Sequence, residues 1–354
     1  MKKLQNRILV APLNWGLGHA TRCIPIINEL IKHGFIPVIA SDGDALELLK
    51  KEFPKSQFLK LPGYQIKYSK KGKNLKLKLL KNSPKMLKAI SKEKALVKKM
   101  INSGDIHGVI SDNRLGVYSK QVPSVFITHQ LQVMSGSTTW LTTKMHEKII
   151  SKFDECWVPD TYLQSNLSGN LGHANTIDKP LKYLGVLSRF TKENRVKKYD
   201  LLVLLSGPEP QRTYLEKLIL EELKSFEGNT LVVNGVIEKK QKCIEKDNTL
   251  IYNFMTSKQL QNAINESEIV LSRSGYTTIM DLAMLEKKAF FIPTPGQFEQ
   301  EYLAKRLSEQ GFVPYCSQEE FTIKKLKMVA DYSGLSNYKT QVDYDKLFSL
   351  FKRK

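Results

Sequence analysis

Ser272-Arg273-Ser274-Gly275 is a small, flexible turn placed where the chain could bind a phosphate group. The apolar run Ile269–Leu271 before it is typical of a short buried strand, and Thr277–Leu285 after it has helical spacing. The first N–H groups of a helix lack partners within the helix, and the helix dipole favours negative charge there. The spacing therefore predicts a strand–turn–helix unit that binds a phosphate.

Polar side chains that suit a sugar follow the same turn. Asp281 lies on the predicted helix, where its carboxylate could accept hydrogen bonds from a ribose diol or simply face the solvent. A second apolar run, Ala289–Ile292, leads through a proline-containing loop into a helix predicted over Glu299–Gln310. Three polar residues around that loop suit sugar hydroxyls, namely Gln297, Gln300 and Glu301. The segment predicts a βαβα unit with a ligand at its strand ends.

A glycine-rich turn near the N-terminus carries a candidate catalytic base. Gly16 and Gly18 follow the apolar strand predicted over Arg7–Pro12, and His19 comes directly after them, at the start of a helix. Glycine permits close approach of the backbone to a ligand, and an imidazole can take a proton from a hydroxyl near neutral pH. The same histidine could instead cap the helix or lie on the surface. The turn lacks the full GxGxxG spacing of dinucleotide-binding folds.

Further polar residues stand at the ends of predicted strands, the usual ligand edge of a parallel sheet. Asp112 could orient or assist His19, or it could pair with Arg114, and His129 ends the next strand. Asp42-Gly43-Asp44 has the acid-x-acid form of some metal–diphosphate sites. It directly precedes a predicted helix, so N-capping explains it better, and we predict no metal site.

The order of the elements predicts the fold class. Strands and helices alternate from residue 7, and the pattern restarts after a polar stretch between Leu187 and Tyr199. In the second half, Ser206-Gly207 forms another strand-to-helix turn, suited either to a phosphate or to an ordinary proline-anchored loop. We predict two Rossmann-like, doubly wound α/β domains, 1–187 and 199–335, that face each other across a cleft. The tail, 336–354, is expected to pack back on the first domain.

Positive charge is concentrated in the first half of the chain. Of the net +20, residues 1–190 hold 30 Lys and Arg against 13 Asp and Glu, and between Lys60 and Lys99 the only acid is Glu93. Here a basic loop to Asn82 is followed by a helix that Ser83-Pro84 would cap and that would run to Asn102. Such charge suits nucleic acid, anionic lipid or an acidic polysaccharide, or it merely solvates the surface.

No apolar run is long enough for a signal sequence or a membrane span, which predicts a cytoplasmic protein. The basic segment would allow peripheral contact with the inner face of the plasma membrane, because leucines alternate with its lysines. The lysines are not interleaved with aromatic residues, which argues against nucleic acid. The four cysteines are isolated and are expected to be buried thiols: Cys23, Cys156, Cys243 and Cys316.

Two motifs resemble those of a known family. SRSGYTTIMDLA, followed by FFIPTPGQFEQEYLAKRL, is similar to the nucleotide-sugar segment of glycosyltransferase family 28, and Gly18-His19 resembles that family's N-terminal glycine–histidine turn. The family has the two-domain GT-B fold, and its best-known member adds N-acetylglucosamine to a lipid-linked peptidoglycan precursor. The resemblance covers the whole chain in layout, but only these two motifs are specific.

The resemblance implies a role for each matching residue. Asp281 would bind the ribose of a uridine nucleotide, the backbone near Phe254 would receive the base, and Gln300 would contact the donor sugar. Ser274 with Gly275, and the Ser206-Gly207 turn, would hold the diphosphate. Such enzymes use a UDP-sugar, need no cofactor or metal, and invert the anomeric centre while helix dipoles stabilise the leaving diphosphate.

The chain departs from the family pattern at two positions that bear on the donor. Asp281 stands where a glutamate is expected, and Gln300-Glu301 replaces a pair of glutamines, which leaves the donor sugar open. One alternative is a UDP-sugar 2-epimerase on the same fold, although that chemistry needs more acids and bases than the second half offers. The other alternative is a basic nucleic-acid-binding protein.

Overall fold

The computed structural model describes residues 6–64, 75–163, 165–174, 177–207, 209–336 and 342–352. They divide into two compact units. The described residues of the first unit lie within 6–64, 79–187 and 342–352, and those of the second lie within 75–78 and 188–336. The predicted basic loop lies partly outside the described residues, because 65–74 are not among them.

The first unit is built on a seven-stranded parallel sheet. Its strands, in chain order, are β1 (Arg7–Pro12), β2 (Ile36–Ser41), β3 (Gln57–Lys60), β4 (Gly108–Asp112), β5 (Ser124–Ile127), β6 (Glu155–Val158) and β7 (Leu181–Tyr183). They lie in the order β3-β2-β1-β4-β5-β6-β7. The sheet is thus built outward from its middle, with β2 and β3 on one side of β1 and β4 to β7 on the other. β1, β4 and β5 are almost entirely buried, as strands covered by helices on both faces must be.

In the described part of this unit, four α-helices connect the strands: α1 (Gly18–Lys32), α2 (Gly43–Glu52), α3 (Leu75–Asn102) and α4 (Thr139–Ile150). The predicted start of α3 at Ser83-Pro84 is wrong, because the helix begins at Leu75 and holds Pro84 in its interior. An interior proline removes one backbone hydrogen bond and disfavours a helix, which is why the sequence pointed to a first turn there. The preceding leucines and lysines are good helix formers, and they extend the helix upstream.

The second unit has a six-stranded sheet in the order β10-β11-β9-β8-β12-β13. Its strands are β8 (Tyr199–Leu204), β9 (Thr230–Val233), β10 (Cys243–Lys246), β11 (Thr249–Tyr252), β12 (Ser267–Ser272) and β13 (Lys288–Phe291). Its helices are α5 (Gln211–Glu222), α6 (Ser257–Asn265), α7 (Tyr276–Met284) and α8 (Phe298–Glu309). All neighbouring strands are parallel except β10, which pairs antiparallel with β11. Two parallel-sheet α/β domains were predicted, and they are confirmed.

The edge strand β10 was not predicted, and it corrects the expectation for one cysteine. Cys243 is exposed on β10, whereas Cys23, Cys156 and Cys316 are buried. β10 is exposed along its whole length, because it forms the outer strand of a hairpin and has a sheet neighbour on one side only. An apolar pattern predicts strands that are buried, and β10 has no such pattern.

The C-terminal helix α9 (Tyr344–Phe348) packs on the first unit. The ring of Phe348 lies 6.2 Å from that of Trp157 and 5.8 Å from that of Phe35, measured between centroids. Phe351, just beyond the helix, fills the space above Gly108, where a Cβ would lie 2.6 Å from its ring. The aromatic side chains of 344–351 thus cover one part of the core of the first unit.

We expect Phe348→Ala to lower the free energy of unfolding of the first unit by about 3 kcal/mol, because it leaves a cavity among buried rings. Denaturant unfolding followed by tryptophan fluorescence, which reports on Trp157, measures the change. Phe298→Ala is the matched control, since Phe298 is exposed on α8. Equal losses in the two variants would show that α9 contributes nothing particular to the core.

Candidate active site

The carboxyl ends of β1, β4 and β5 bring three elements of the candidate site together. Pro12 of β1 pairs with Asp112 of β4, and Asp112 pairs in turn with Ile127 of β5. His19 is the second residue of α1, the helix that follows β1, and His129 comes two residues after β5. The topology therefore places His19, Asp112 and His129 at one edge of the first sheet.

A buried guanidinium joins these three side chains. His19 Nδ1 lies 2.8 Å from Asp112 Oδ1. Arg22 donates from Nε to Asp112 Oδ2 at 2.5 Å and from Nη2 to Asp112 Oδ1. The same guanidinium places Nη1 2.9 Å from His129 Nδ1 and Nη2 2.9 Å from His19 Nδ1. Two histidines and one carboxylate thus share a single arginine.

The charges of this cluster determine which groups are ionised. Burial opposes ionisation of Asp112, but the Arg22 guanidinium and His19 outweigh it and hold the pKa of the carboxyl well below its usual range. Burial lowers the pKa of His19, an effect that Arg22 and His129 reinforce and Asp112 opposes. Burial also raises the pKa of the Cys23 thiol, whose Sγ lies 3.6 Å from Asp112 Oδ2. At neutral pH the cluster therefore holds an ionised aspartate beside a neutral His19.

Asp112 does not pair with Arg114, and that alternative is wrong. Arg114 donates to Glu93 Oε1 at 2.9 Å and also to the carboxylate of Asp42. Asn113 separates the two networks with a left-handed backbone (φ 58°), a conformation that asparagine tolerates better than most residues. Arg22, by contrast, was not predicted as a site residue. The sequence feature that indicates it is its place one helical turn after His19.

The N-cap interpretation of Asp42 is also wrong. Asp42 occupies the N-cap position of α2, but its carboxylate makes no capping hydrogen bond and binds Arg114 instead. Asn14 replaces it, because its side-chain oxygen accepts the Ala45 N–H at 3.3 Å. Asn14 comes from the turn after β1, which also holds Gly16 in a left-handed conformation (φ 73°) that favours glycine. Gly18 begins α1.

In the second unit, the predicted phosphate turn joins β12 to α7. Gly275 is the N-cap residue of α7, and Ser274 Oγ donates to the carbonyl of Gln300 at 2.8 Å. The Gln300 side chain accepts the Thr294 N–H at Oε1, at 2.8 Å. Its Nε2 lies 4.0 Å from the position that a Cβ on Gly275 would take. Ser274, Gly275 and Gln300 are thus brought together at the start of α7.

Arg273 lies in the same turn, but its side chain is engaged elsewhere. Its guanidinium donates to the carbonyls of Ile292, Pro293 and Gln211 and to Gln318 Oε1, over 2.7–3.1 Å. Burial lowers the pKa of Arg273 to about 9. This side chain fixes the loop after β13 to the start of α5, and it supplies no free charge for a phosphate.

Asp281 is buried, with 8% of its surface exposed, so a solvent-facing position is excluded. Its Oδ1 accepts the Ser188 hydroxyl at 2.6 Å. Burial raises the pKa of Asp281 to about 6, although Arg189 and the Ser188 hydroxyl oppose the shift. A carboxylate partly desolvated in this way forms strong hydrogen bonds with hydroxyl donors.

The remaining predicted residues lie in loops of the second unit and at the start of α8. Glu301 accepts the Gly296 N–H at Oε1, at 2.8 Å, and is exposed, while Gln297 is the N-cap residue of α8. Ser206 and Gly207 follow β8, and Gly207 is left-handed (φ 100°). The Phe254 backbone is engaged within the protein, because its N–H donates to Asn253 Oδ1 at 3.0 Å and its carbonyl accepts from Gln241 Nε2 at 2.7 Å.

Among the described residues, no cluster of three or more His, Cys, Asp or Glu side chains is placed to hold a metal ion. Within the same ranges, no helix combines the length and the apolar character needed to span a membrane.

The glycosyltransferase family 28 C-terminal domain matches residues 212–341. The UDP-N-acetylglucosamine--N-acetylmuramyl-(pentapeptide) pyrophosphoryl-undecaprenol N-acetylglucosamine transferase of Buchnera aphidicola is 27% identical over 245 residues, which are 67% of this chain and 64% of that protein.

Solved structures show the same fold. Acinetobacter baumannii MurG superposes with a TM-score of 0.54 at 14% identity, covering 99% of this chain and 100% of the other. Arabidopsis thaliana UGT89C1, solved with UDP-L-rhamnose, gives a TM-score of 0.62 at 12% identity, covering 92% and 90% of the two chains.

The fold and these relatives define the class: the chain is a glycosyltransferase with the GT-B fold. Residues 212–341 match the family 28 C-terminal domain, and the resemblance to this family expected from the sequence is confirmed.

Proposed function

We propose that this glycosyltransferase moves a hexose from a UDP-sugar to a hydroxyl group of a lipid-linked or cell-envelope glycan. The contact between His19 and Asp112 carries the proposal, because a neutral imidazole held by a buried carboxylate is a general base. The donor is supported by the family 28 domain and by relatives whose names specify UDP-N-acetylglucosamine. The acceptor class rests on the same relatives.

The proposed reaction needs one base, His19, and one leaving group, UDP. His19 takes the proton of the acceptor hydroxyl, and the oxygen attacks the anomeric carbon as the bond from that carbon to the diphosphate breaks. The electron pair leaves with the UDP, and attack from the opposite face inverts the anomeric centre. Asp112 stabilises the imidazolium that forms, since the two groups are in hydrogen-bond contact.

The second unit would bind the donor without a metal. The diphosphate would lie at the start of α7, where the helix dipole and the turn around Gly275 favour negative charge. Asp281, on the same helix, would accept hydrogen bonds from the ribose hydroxyls. Gln300, held by Thr294 and Ser274, would donate from Nε2 to a hydroxyl of the sugar. The helix dipole and backbone N–H groups, rather than a metal ion, would stabilise the departing UDP.

The first unit also has a surface suited to an anionic membrane. On α4, three apolar side chains are exposed by 73%, 52% and 61%, those of Trp140, Leu141 and Met145. Lys144 and Lys148 lie on the same face at helical spacing. On α3 the only acid of the basic segment, Glu93, is buried against Arg114, so the described side chains from 84 to 100 expose lysines and no acid. We infer that this unit docks on the inner face of the plasma membrane.

Replacing His19 with alanine should lower kcat by about 10²- to 10⁴-fold, the usual contribution of a general base. Transfer from radiolabelled UDP-sugars to membrane lipid extracts measures it, and calorimetric UDP affinity should stay unchanged because the nucleotide site is in the other unit. Undiminished transfer would remove His19 from the mechanism. Formation of an epimerised UDP-sugar without any acceptor would favour the 2-epimerase instead.

Replacing Asp281 with asparagine should weaken UDP binding by about 10- to 100-fold, because the ribose hydroxyls lose a charged acceptor. The wild-type protein should also bind UDP less tightly as the pH falls below about 6, where Asp281 becomes protonated. UDP lacking its 2′ and 3′ hydroxyls has the same phosphates and should show neither effect. If wild type and variant bind UDP equally tightly at pH 7.5, Asp281 does not contact the ribose.

Trp140→Ala should reduce binding to vesicles that contain anionic phosphatidylglycerol, because the indole loses its place at the interface. Sedimentation with vesicles measures the bound fraction, which should fall several-fold, and high salt should weaken wild-type binding too. Tyr214→Ala, at an exposed aromatic of the second unit, is the control. Equal binding to neutral and anionic vesicles would contradict docking through lysines.

A further inference from the structure

One buried arginine in the first unit contacts two imidazoles and the carboxylate between them. Arg22 is 2% exposed and makes a bidentate contact with Asp112 through Nε and Nη2. Its Nη1 reaches His129 Nδ1 and its Nη2 reaches His19 Nδ1, both at 2.9 Å. The proposed mechanism uses His19 and Asp112 but assigns nothing to Arg22 or to His129.

We propose that Arg22 is a positioning residue that sets the tautomer of His129 directly and holds the Asp112 carboxylate that sets the tautomer of His19, so that the two imidazoles take opposite tautomers. His19 then carries its proton on Nδ1 and keeps the lone pair on Nε2, while His129 carries its proton on Nε2. This inference deepens the proposed function, on which the role of His19 as a base rests. Arg22 itself touches neither the acceptor nor the donor.

The tautomer of His129 follows from the chemistry of the guanidinium. A guanidinium has five N–H donors and no acceptor, so Nδ1 of His129 must accept the hydrogen bond from Nη1. A neutral imidazole that accepts at Nδ1 carries its proton on Nε2.

The tautomer of His19 follows from competition between a pure acceptor and a pure donor. Asp112 is ionised and can only accept, and its Oδ1 lies 2.8 Å from His19 Nδ1. Arg22 Nη2 also lies 2.9 Å from Nδ1, and one of its two hydrogens is directed at Oδ1. Of the two charges, that of Asp112 acts on His19 more strongly than that of Arg22, which favours a proton on Nδ1 rather than a lone pair facing the carboxylate. A carboxylate oxygen can accept from both neighbours, so the proton of His19 stays on Nδ1.

The arrangement gives the strand edge two imidazoles of opposite hydrogen-bonding character. His19 offers a lone pair at Nε2, which a base needs, whereas His129 offers a proton at the same ring position. Arg22 also balances the charge of Asp112, which by itself would favour protonation of His19. The groups that face His19 from the packed elements are Asp112 at the end of β4, Arg22 on α1 and His129 after β5.

Nitrogen-15 NMR of the full-length protein with labelled histidine tests the tautomers directly, because ring shifts distinguish a protonated from an unprotonated nitrogen. His19→Gln and His129→Gln assign the signals. We expect a protonated Nδ1 for His19 and a protonated Nε2 for His129 in the wild-type protein. The same tautomer in both residues would overturn the proposal without any variant of Arg22.

The pH dependence of transfer supplies a second readout. Arg22→Met removes a positive charge beside His19, so the pKa of His19 should rise and the acid limb of the kcat/KM profile should move to higher pH. A shift of one unit would lower kcat/KM about tenfold on that limb. Arg22→Lys, which retains the charge, should restore the limb but not the His129 tautomer.

Two outcomes keep this inference distinct from the proposed function. If His19→Ala transfers sugar as well as the wild type, the base assignment fails, yet the tautomers measured by NMR can still agree with the proposal. If Arg22→Met folds but leaves the limb and both tautomers unchanged, Arg22 is structural only. If Arg22→Met does not fold, the wild-type spectrum and Arg22→Lys still decide.

Discussion

The buried carboxylate of Asp112 is the constraint on which the candidate active-site edge of the first unit depends. A carboxylate removed from water costs several kcal/mol unless a cation and hydrogen bonds compensate it. Arg22 provides both from α1, and so the helix is tied to the end of β4 by a charge pair. Because His19 lies one turn earlier on that helix, the same pair brings its imidazole to the carboxylate. The candidate base is positioned by packing and charge rather than by a flexible loop.

A second buried arginine organises the neighbouring strand ends. Arg114 joins Asp42 after β2 to Glu93 on α3, and it donates to the carbonyls of Pro12 and Pro62. Each arginine thus pairs with its own carboxylates, and both guanidinium charges are compensated. This division explains why Asp112 keeps a well-defined partner although Arg114 is only two residues away in the chain.

Patterns within a few residues of each other were enough to predict much of the molecule. The alternation of apolar runs and helical spacing predicted two parallel-sheet domains, and the turn before Tyr276 predicted a helix start there. The partners of Asp281 could not be predicted, because Ser188 lies far away in sequence and only the fold brings the two together. The same limit applies to Asn14, which caps a helix that Asp42 seemed to cap, since local spacing cannot show which of two side chains reaches a given N–H.

The C-terminal helix has a consequence for how the chain is made. Every strand of the first sheet has been synthesised once Tyr183 is in place, and N-terminal domains ordinarily fold first during translation. Here the rings of Phe35 and Trp157 stay uncovered until Phe348 leaves the ribosome, after the entire second unit. The domain that is translated first is therefore the last to be completed.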